Sequence, residues 1–329
     1  RMQRLTPAAR AWLAEATGIH EARLRLTRLR GSTSATLYRV TDAAPGSSRR
    51  FVLRLFTLAS WLEREPDLAR HEGAALTEAA AIGLPVPELV AYLPGPSLED
   101  PSDPVGFGAP ALLMTHLPGE VVLAPEDGDA WLRELARTLA AIHEHPAPGF
   151  AWTYESWVEP ENVTVPAWTR RPGAWEAAIA AYRSWQPDPS ERTFLHRDYH
   201  QLNLLFEGTG AGIRTAGVVD WVNACLGPAA ADVAHCRSNL LQMKGRDAAD
   251  AFLRHYREQR GGFDYDPAWD LEAVFDHGPE PRSFRPWSEH GIAPVPTEEL
   301  RRRVEDNVLR ALADLGVTRE GRRLSGRPP

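Results

Sequence analysis

The sequence predicts an α+β chain built as two lobes, a small antiparallel-sheet lobe followed by a larger, mostly helical one. Short β-type runs joined by turn signals crowd the stretch before Pro118. Pro118-Gly119 closes that pattern, and apolar stripes of helical period dominate the remainder of the chain. At 329 residues the chain is long enough to give each lobe a core of its own.

Taken in order, Thr6-Pro7 is a helix start, with a hydroxyl cap and a proline in the first turn, and Gly18 is its stop. Three strands come next, at Arg23–Arg30, Thr36–Thr41 and Phe51–Phe56. Gly31-Ser32-Thr33-Ser34 and Pro45-Gly46 supply the turns of this meander. A helix from about Asp67 to Ile82 ends at Gly83, and Leu89–Leu93 and Ala111–Leu117 read as two further strands. Beyond Gly119 the helical segments are Asp127–His145, Ala174–Trp185, Ala229–Met243, Asp247–Arg260 and Thr297–Leu315. The Trp- and Pro-rich stretch Phe150–Pro172 reads as an irregular connection, and so does Phe263–Pro296.

Hydrophobic content of 43% and charged content of 25% are those of an ordinary globular protein. A net charge of −7 argues against nucleic acid as a partner. No apolar run approaches the ~20 residues that cross a bilayer, and the N-terminus lacks an apolar signal core. A cytoplasmic protein without a membrane partner is therefore expected. Cys225 and Cys236 have no CxxC spacing, so two reduced thiols are expected rather than a zinc site.

One polar cluster stands out. In "FLHRDYHQLNLLF", from Phe194 to Phe206, His196, Asp198 and Asn203 lie between apolar flanks, where unpaired polar groups are costly. The plain reading is a surface turn. Asp220, however, ends a later apolar run, "GVVDW", and carboxylate and amide oxygens at strand ends suit a hard cation such as Mg²⁺. A carboxylate left off the metal can then orient and deprotonate a hydroxyl.

"HRDYHQLN" followed by "GVVDWVNACLGPAAADVAH" resembles the aminoglycoside phosphotransferase and choline-kinase-like family, which shares the protein-kinase fold. The resemblance runs from the loop near Gly31 to about Asn239. It implies a nucleotide-binding lobe with its connector over 1–117 and a catalytic and acceptor-binding lobe over 118–329. ATP or GTP is the implied donor, with Mg²⁺ as cofactor and a hydroxylated small molecule as acceptor. Asp198 then becomes the base, Asn203 and Asp220 the metal ligands, and Asp232 a brace of the catalytic loop. His196 becomes a packing residue beneath the site.

Alternation in "FVLRLF" puts Val52 and Arg54 on one face of the third strand. The resemblance implies Val52 against adenine, Arg54 toward the phosphates and Glu72 as its partner. It also implies backbone contacts to adenine from Thr115, His116 and Leu117 and a pocket floor of Leu205 and Val219, while Ser32 and Ser34 are either phosphate contacts or plain turn residues. Kinases usually place lysine at the Arg54 position; arginine keeps the charge but is bulkier.

The stretch "FDYDPAWDLEAVFDHGPE" interleaves acids with aromatic rings. Either it is a solvated acidic face, or Asp270, Asp276 and Glu280 draw a cationic acceptor into a cleft in the large lobe. The walls of that cleft are expected from Phe150–Trp185 and from the segment after Gly261. The second reading favours a basic, hydroxyl-rich antibiotic as acceptor. A primary-metabolite kinase and a non-catalytic nucleotide binder are the alternatives. A protein kinase fits poorly, because Asp220 is followed by Trp221-Val222 rather than Phe-Gly and no Ala-Pro-Glu segment comes after it.

Overall fold

The computed structural model describes residues 6–29, 35–94 and 107–317. They form two compact units. One runs to Gly119 and takes in Ala216–Ala224; the other comprises Glu120–Thr215 and the chain from Cys225 onward.

The first unit opens with α1 (Pro7–Thr17), whose Ala9 N–H is capped by the Thr6 hydroxyl at 3.2 Å and which stops at Gly18, φ 64°. Strands β1 (Leu24–Arg28), β2 (Thr36–Asp42) and β3 (Arg50–Leu55) form the expected meander. A short helix α2 (Ala59–Arg64), not foreseen from the sequence, precedes α3 (Leu68–Ala79). Strands β4 (Leu89–Leu93) and β5 (Ala111–Thr115) complete an antiparallel sheet of order β1-β2-β3-β5-β4.

Alternation along β3 decides which side chains meet the core. Leu53 and Leu55 pack with Leu13, Ile19, Leu24, Val40, Ala111 and Leu113. Val52 and Arg54 fall on the opposite face. Helix α3 buries Leu68, Glu72, Ala75 and Leu76, a stripe of helical period with one acid in it. Among the bonds that tie the Ala216–Ala224 segment to this unit, Val218 N–H donates to Pro85 O at 2.9 Å, and the His71 ring meets Ala224 O at 2.6 Å.

The second unit begins with α4 (Gly128–Glu144), capped by Asp127, whose stripe Trp131, Leu135, Leu139 and Ile142 is fully buried. Then come α5 (Pro172–Arg183), β6 (Thr193–Leu195), β7 (Leu204–Glu207) and β8 (Arg214–Val218), which leads the chain into the first unit. On its return, β9 (Cys225–Gly227) pairs antiparallel with β6. Leu226 also bridges to Thr153, and at Gly227 a Cβ would collide with the Tyr154 side chain, so glycine is required there. Helices α6 (Ala229–Lys244), α7 (Arg246–Gln259), α8 (Ala268–Asp276), α9 (Arg285–Glu289) and α10 (Thr297–Asp314) complete the unit. Trp175, Ile179, Tyr182, Leu271, Phe275 and Val308 make a shared core for α5, α8 and α10.

Phe263–Pro296 is thus not the irregular connection expected, because it holds α8 and α9. Every residue of α8 from Ala268 to Phe275 is buried, acids included. A helix covered on all sides has no polar stripe to reveal its period. Among the described residues no helix is long and apolar enough to cross a membrane.

Candidate active site

In the first unit the charges converge on Arg54. One guanidinium nitrogen, Nη1, donates to Glu72 Oε1 and to Asp220 Oδ1, both at 2.7 Å. Arg54 and Glu72 are almost fully buried, while the Asp220 side chain is about one-third exposed at 34%. Burial pushes the Glu72 carboxyl up to about 7, even against the pull of Arg54. Asp220 is a non-glycine residue with φ 67°, a strained setting that the surrounding contacts have to hold. Val52 is half-buried on the Arg54 face, and Val219 is half-buried beside Asp220 in sequence.

The connector differs in part from the adenine-binding edge expected there. The Thr115 N–H is committed to Glu88 O at 2.9 Å and the His116 N–H to Arg50 O at 3.3 Å, while the Thr115 hydroxyl accepts Glu88 N–H. Partial burial, with Arg39 and Arg50 nearby, pushes the His116 imidazole down. Leu117 is half-buried. Ser32 and Ser34 lie outside the described residues.

The second unit carries the HxDxxxxN loop, and its shape is fixed from α6. Asp232, fully buried, accepts the main-chain N–H of His196 on Oδ2 at 2.8 Å and that of Arg197 on Oδ1 at 2.7 Å. His143 Nε2 reaches Oδ2 at 3.2 Å and is itself bound through Nδ1 to Tyr256 Oη at 2.6 Å. Burial works against ionising Asp232, but His143 and these amides hold its pKa below the usual carboxylate range. Arg197 adopts φ 69°, and its guanidinium lies 3.7 Å from the Trp157 ring centroid and 4.7 Å from that of Tyr154.

This scaffold presents Asp198. Its Oδ1 lies 3.0 Å from His235 Nε2 and 3.5 Å from His200 Nε2. The Asn203 amide donates to Asp198 main-chain O at 2.9 Å and to its Oδ2 at 3.3 Å. Burial raises the Asp198 pKa, but His200, His235 and His196 outweigh it and keep the group ionised far below the ordinary range. His235 moves the other way: burial lowers its pKa, yet the bond to Asp198 leaves it raised. Leu205, half-buried on β7, stands two residues after Asn203.

Both predicted metal ligands have the right donor chemistry. The Asn203 NH₂ is tied to Asp198, which leaves its amide oxygen as the donor atom for a cation, and the partly exposed Asp220 offers a carboxylate oxygen. Carboxylate and amide oxygens fit a hard divalent cation.

The three predicted acceptor acids are not gathered in one place. Asp270 is buried and takes a two-pronged contact from Arg237, 3.2 Å on each oxygen, plus the Tyr265 hydroxyl at 2.7 Å. Glu280 binds Arg301 at 2.9 Å. Asp276 instead lines a cleft of about 250 Å³ with Trp157, Asn162, Trp175 and Phe275. A neighbouring cavity of about 610 Å³ is lined by Tyr154, Ser156, Tyr182, Trp185 and Glu272. Glu272 accepts from the Tyr154 and Ser156 hydroxyls, and burial pushes its carboxyl up. The sequence alone assigns no site role to His235, Arg197 or Glu272. Spacing is the signal that could have found His235, since it sits one helical turn after Asp232.

A five-stranded antiparallel sheet followed by a helical part that carries the HxDxxxxN loop makes a protein-kinase-like α+β fold. The chain belongs to the phosphotransferase enzyme family, whose model matches residues 25–271. Among solved structures it is similar to a thermostable mutant of aminoglycoside phosphotransferase APH(4)-Ia in complex with ADP and hygromycin B. That likeness has a TM-score of 0.57 at 16% identity and covers 94% of this chain and 99% of the other. Spectinomycin phosphotransferase APH(9)-Ia, with ADP and spectinomycin, gives 0.56 at 12% identity over 98% and 97% of the two chains. Amicoumacin kinase hAmiN, with AMP-PNP, Ca²⁺ and its antibiotic, gives 0.56 at 13% identity over 91% and 93%. A search of curated proteins returns no match.

Proposed function

We propose that the protein transfers the γ-phosphate of ATP or GTP to a hydroxyl of an antibiotic-like natural product, inactivating it. The observation that carries this reading is the Asp198 carboxylate, kept ionised by two histidines and steered by Asn203 on a loop locked by Asp232. A positioned carboxylate of this kind aligns an acceptor hydroxyl and takes its proton as the oxygen attacks phosphorus. Mg²⁺, when bound, neutralises charge on the phosphates, and Asn203 and Asp220 are the residues that would hold it.

Arg54 provides a fixed positive charge near Asp220 for the nucleotide side, anchored by Glu72. Val52, Leu117, Leu205 and Val219 are proposed as apolar contacts to the base. On the acceptor side, Asp276 with the exposed ring of Trp157 favours a cationic, ring-bearing molecule. The antibiotics bound by APH(4)-Ia, APH(9)-Ia and hAmiN support that choice of acceptor class.

The test is a panel of hydroxylated antibiotics and metabolites incubated with magnesium and ATP or GTP, with products read by mass. A product heavier by one phosphoryl group, formed by the wild type and lost in Asp198→Asn, supports the reading. Phosphorylation of primary metabolites alone would replace the antibiotic with that class. No product from any acceptor would leave a nucleotide binder.

A further inference from the structure

We infer that Asp198, His200 and His235 form a second cation site, of zinc type, on the carboxylate proposed as the base. One ligand atom from each residue lies within 4.8 Å of the other two, all inside the second unit. From Asp198 Oδ1 the separations are 3.0 Å to His235 Nε2 and 3.5 Å to His200 Nε2. In a tetrahedral zinc site with bonds of ~2.1 Å, neighbouring ligand atoms stand about 3.4 Å apart. Two edges of that tetrahedron are therefore already in place.

The donor set also separates this site from the magnesium ligands. Two imidazoles and one carboxylate suit a borderline-soft ion, whereas Asn203 and Asp220 offer only oxygen. Three protein ligands leave a fourth position open. The Asp198 side chain is 27% exposed and the two histidines 12% each, so an ion can enter and keep one water.

The surroundings hold the ligands still. The His277 ring stacks on His235 at 6.1 Å and 26°, and its own Nδ1 is fixed on Ala273 O. His200 has one adjustment to make. Its Nδ1 now accepts Leu202 N–H at 3.3 Å, so binding through Nε2 moves the ring proton to Nδ1 and gives up that long contact. The Asn203 Nδ2 contact to His200 Nε2, at 3.4 Å, is lost as well. Both contacts are long and weak; His235 must in addition release the Nε2 proton it shares with Asp198 Oδ1 at 3.0 Å, and the bonds of the ion to these two atoms replace that hydrogen bond.

Occupancy ties up the oxygen that would take the hydroxyl proton, so zinc is an inhibitor that excess magnesium does not displace. This inhibition rests on the proposed role of Asp198; the binding does not.

The experiment is titration of the full chain with Co²⁺, a spectroscopic stand-in for zinc, followed by displacement with Zn²⁺. The expected result is one equivalent of Co²⁺ with the strong visible band of four-coordinate cobalt, removed by one equivalent of Zn²⁺. His200→Ala and His235→Gln should each weaken binding by at least about 100-fold, with thermal melts confirming that both variants fold. His20→Ala, which alters an exposed histidine of the first unit, should bind as the wild type does. A wild type without the band, or two folded variants that bind with undiminished affinity, overturns the site. If cobalt binds while Asp198→Asn retains turnover, the site stands and the proposed base falls. If turnover needs Asp198 and no cobalt binds, the site alone falls.

Discussion

Asp232 Oδ1 accepts the main-chain N–H of Arg197 at 2.7 Å, and Arg197 is a non-glycine residue held at φ 69°. A buried carboxylate on α6 thus fixes the backbone immediately before Asp198. With His196 N–H and His143 Nε2 it faces three donors in all. Asp232→Ala leaves them unpaired in the interior. The expected loss is about 3–5 kcal/mol, read as a lower urea midpoint with unchanged m-value. A loss below ~1 kcal/mol would mean that the loop holds its shape without Asp232.

Acid should act through the same group. In the folded chain both Asp232 and Glu134 titrate below the ordinary range of a free carboxyl. Burial opposes this in each case and is outweighed, in Asp232 by His143 and the loop amides, in Glu134 by Arg137 and the Thr215 N–H. Carboxylates depressed on folding contribute stability in full above their unfolded pKa and lose it as pH falls through the folded one. The melting temperature should therefore drop as pH goes below about 4, and Glu134→Gln should flatten that limb. An acid limb of the same slope in Glu134→Gln would show that Glu134 has no part in it.

The sequence shows the polar loop because its chemistry is local: His196, Asp198 and Asn203 lie within eight consecutive residues. The face shared by Val52 and Arg54 is equally legible, since strand alternation needs no knowledge of the partner strand. Acids such as Asp270 are harder to read. Whether such a group faces water or a buried arginine depends on Arg237, 33 positions away, and composition cannot reveal that pairing. Helix α8 is missed because it is covered on all sides and leaves no polar stripe to reveal its period. His235 escapes because its meaning comes from Asp198, on another element.

Arg54 offers a test on the nucleotide side. Arg54→Ala strands the fully buried Glu72 carboxylate and should cost about 3–5 kcal/mol of stability. It should also weaken nucleotide binding. Arg54→Lys keeps the charge but has no fork, and should recover part of both. Nucleotide KM and the urea midpoint together separate the two effects. A nucleotide KM untouched by either change would reduce Arg54 to a structural ion pair.

The acceptor acids should divide by what they touch. Asp270→Asn is expected to lower stability by breaking the buried contact with Arg237, and to leave acceptor KM near that of the wild type. Asp276→Asn and Trp157→Ala, which alter the 250 Å³ cleft, should each raise acceptor KM several-fold while nucleotide KM holds. Steady-state kinetics with the acceptor found in the product screen decides this. Equal acceptor KM values in all three variants would move the acceptor elsewhere.

The transfer reaction proposed for this site depends on Asp198 activating the acceptor hydroxyl, and the decisive quantity is the transfer rate of Asp198→Asn. Asparagine keeps the shape beside His235 and Asn203 but cannot take a proton. If Asp198 is the base, kcat falls by about 10²–10⁴-fold, with nucleotide KM within a few-fold of wild type. Transfer by Asp198→Asn at the wild-type rate would refute that role.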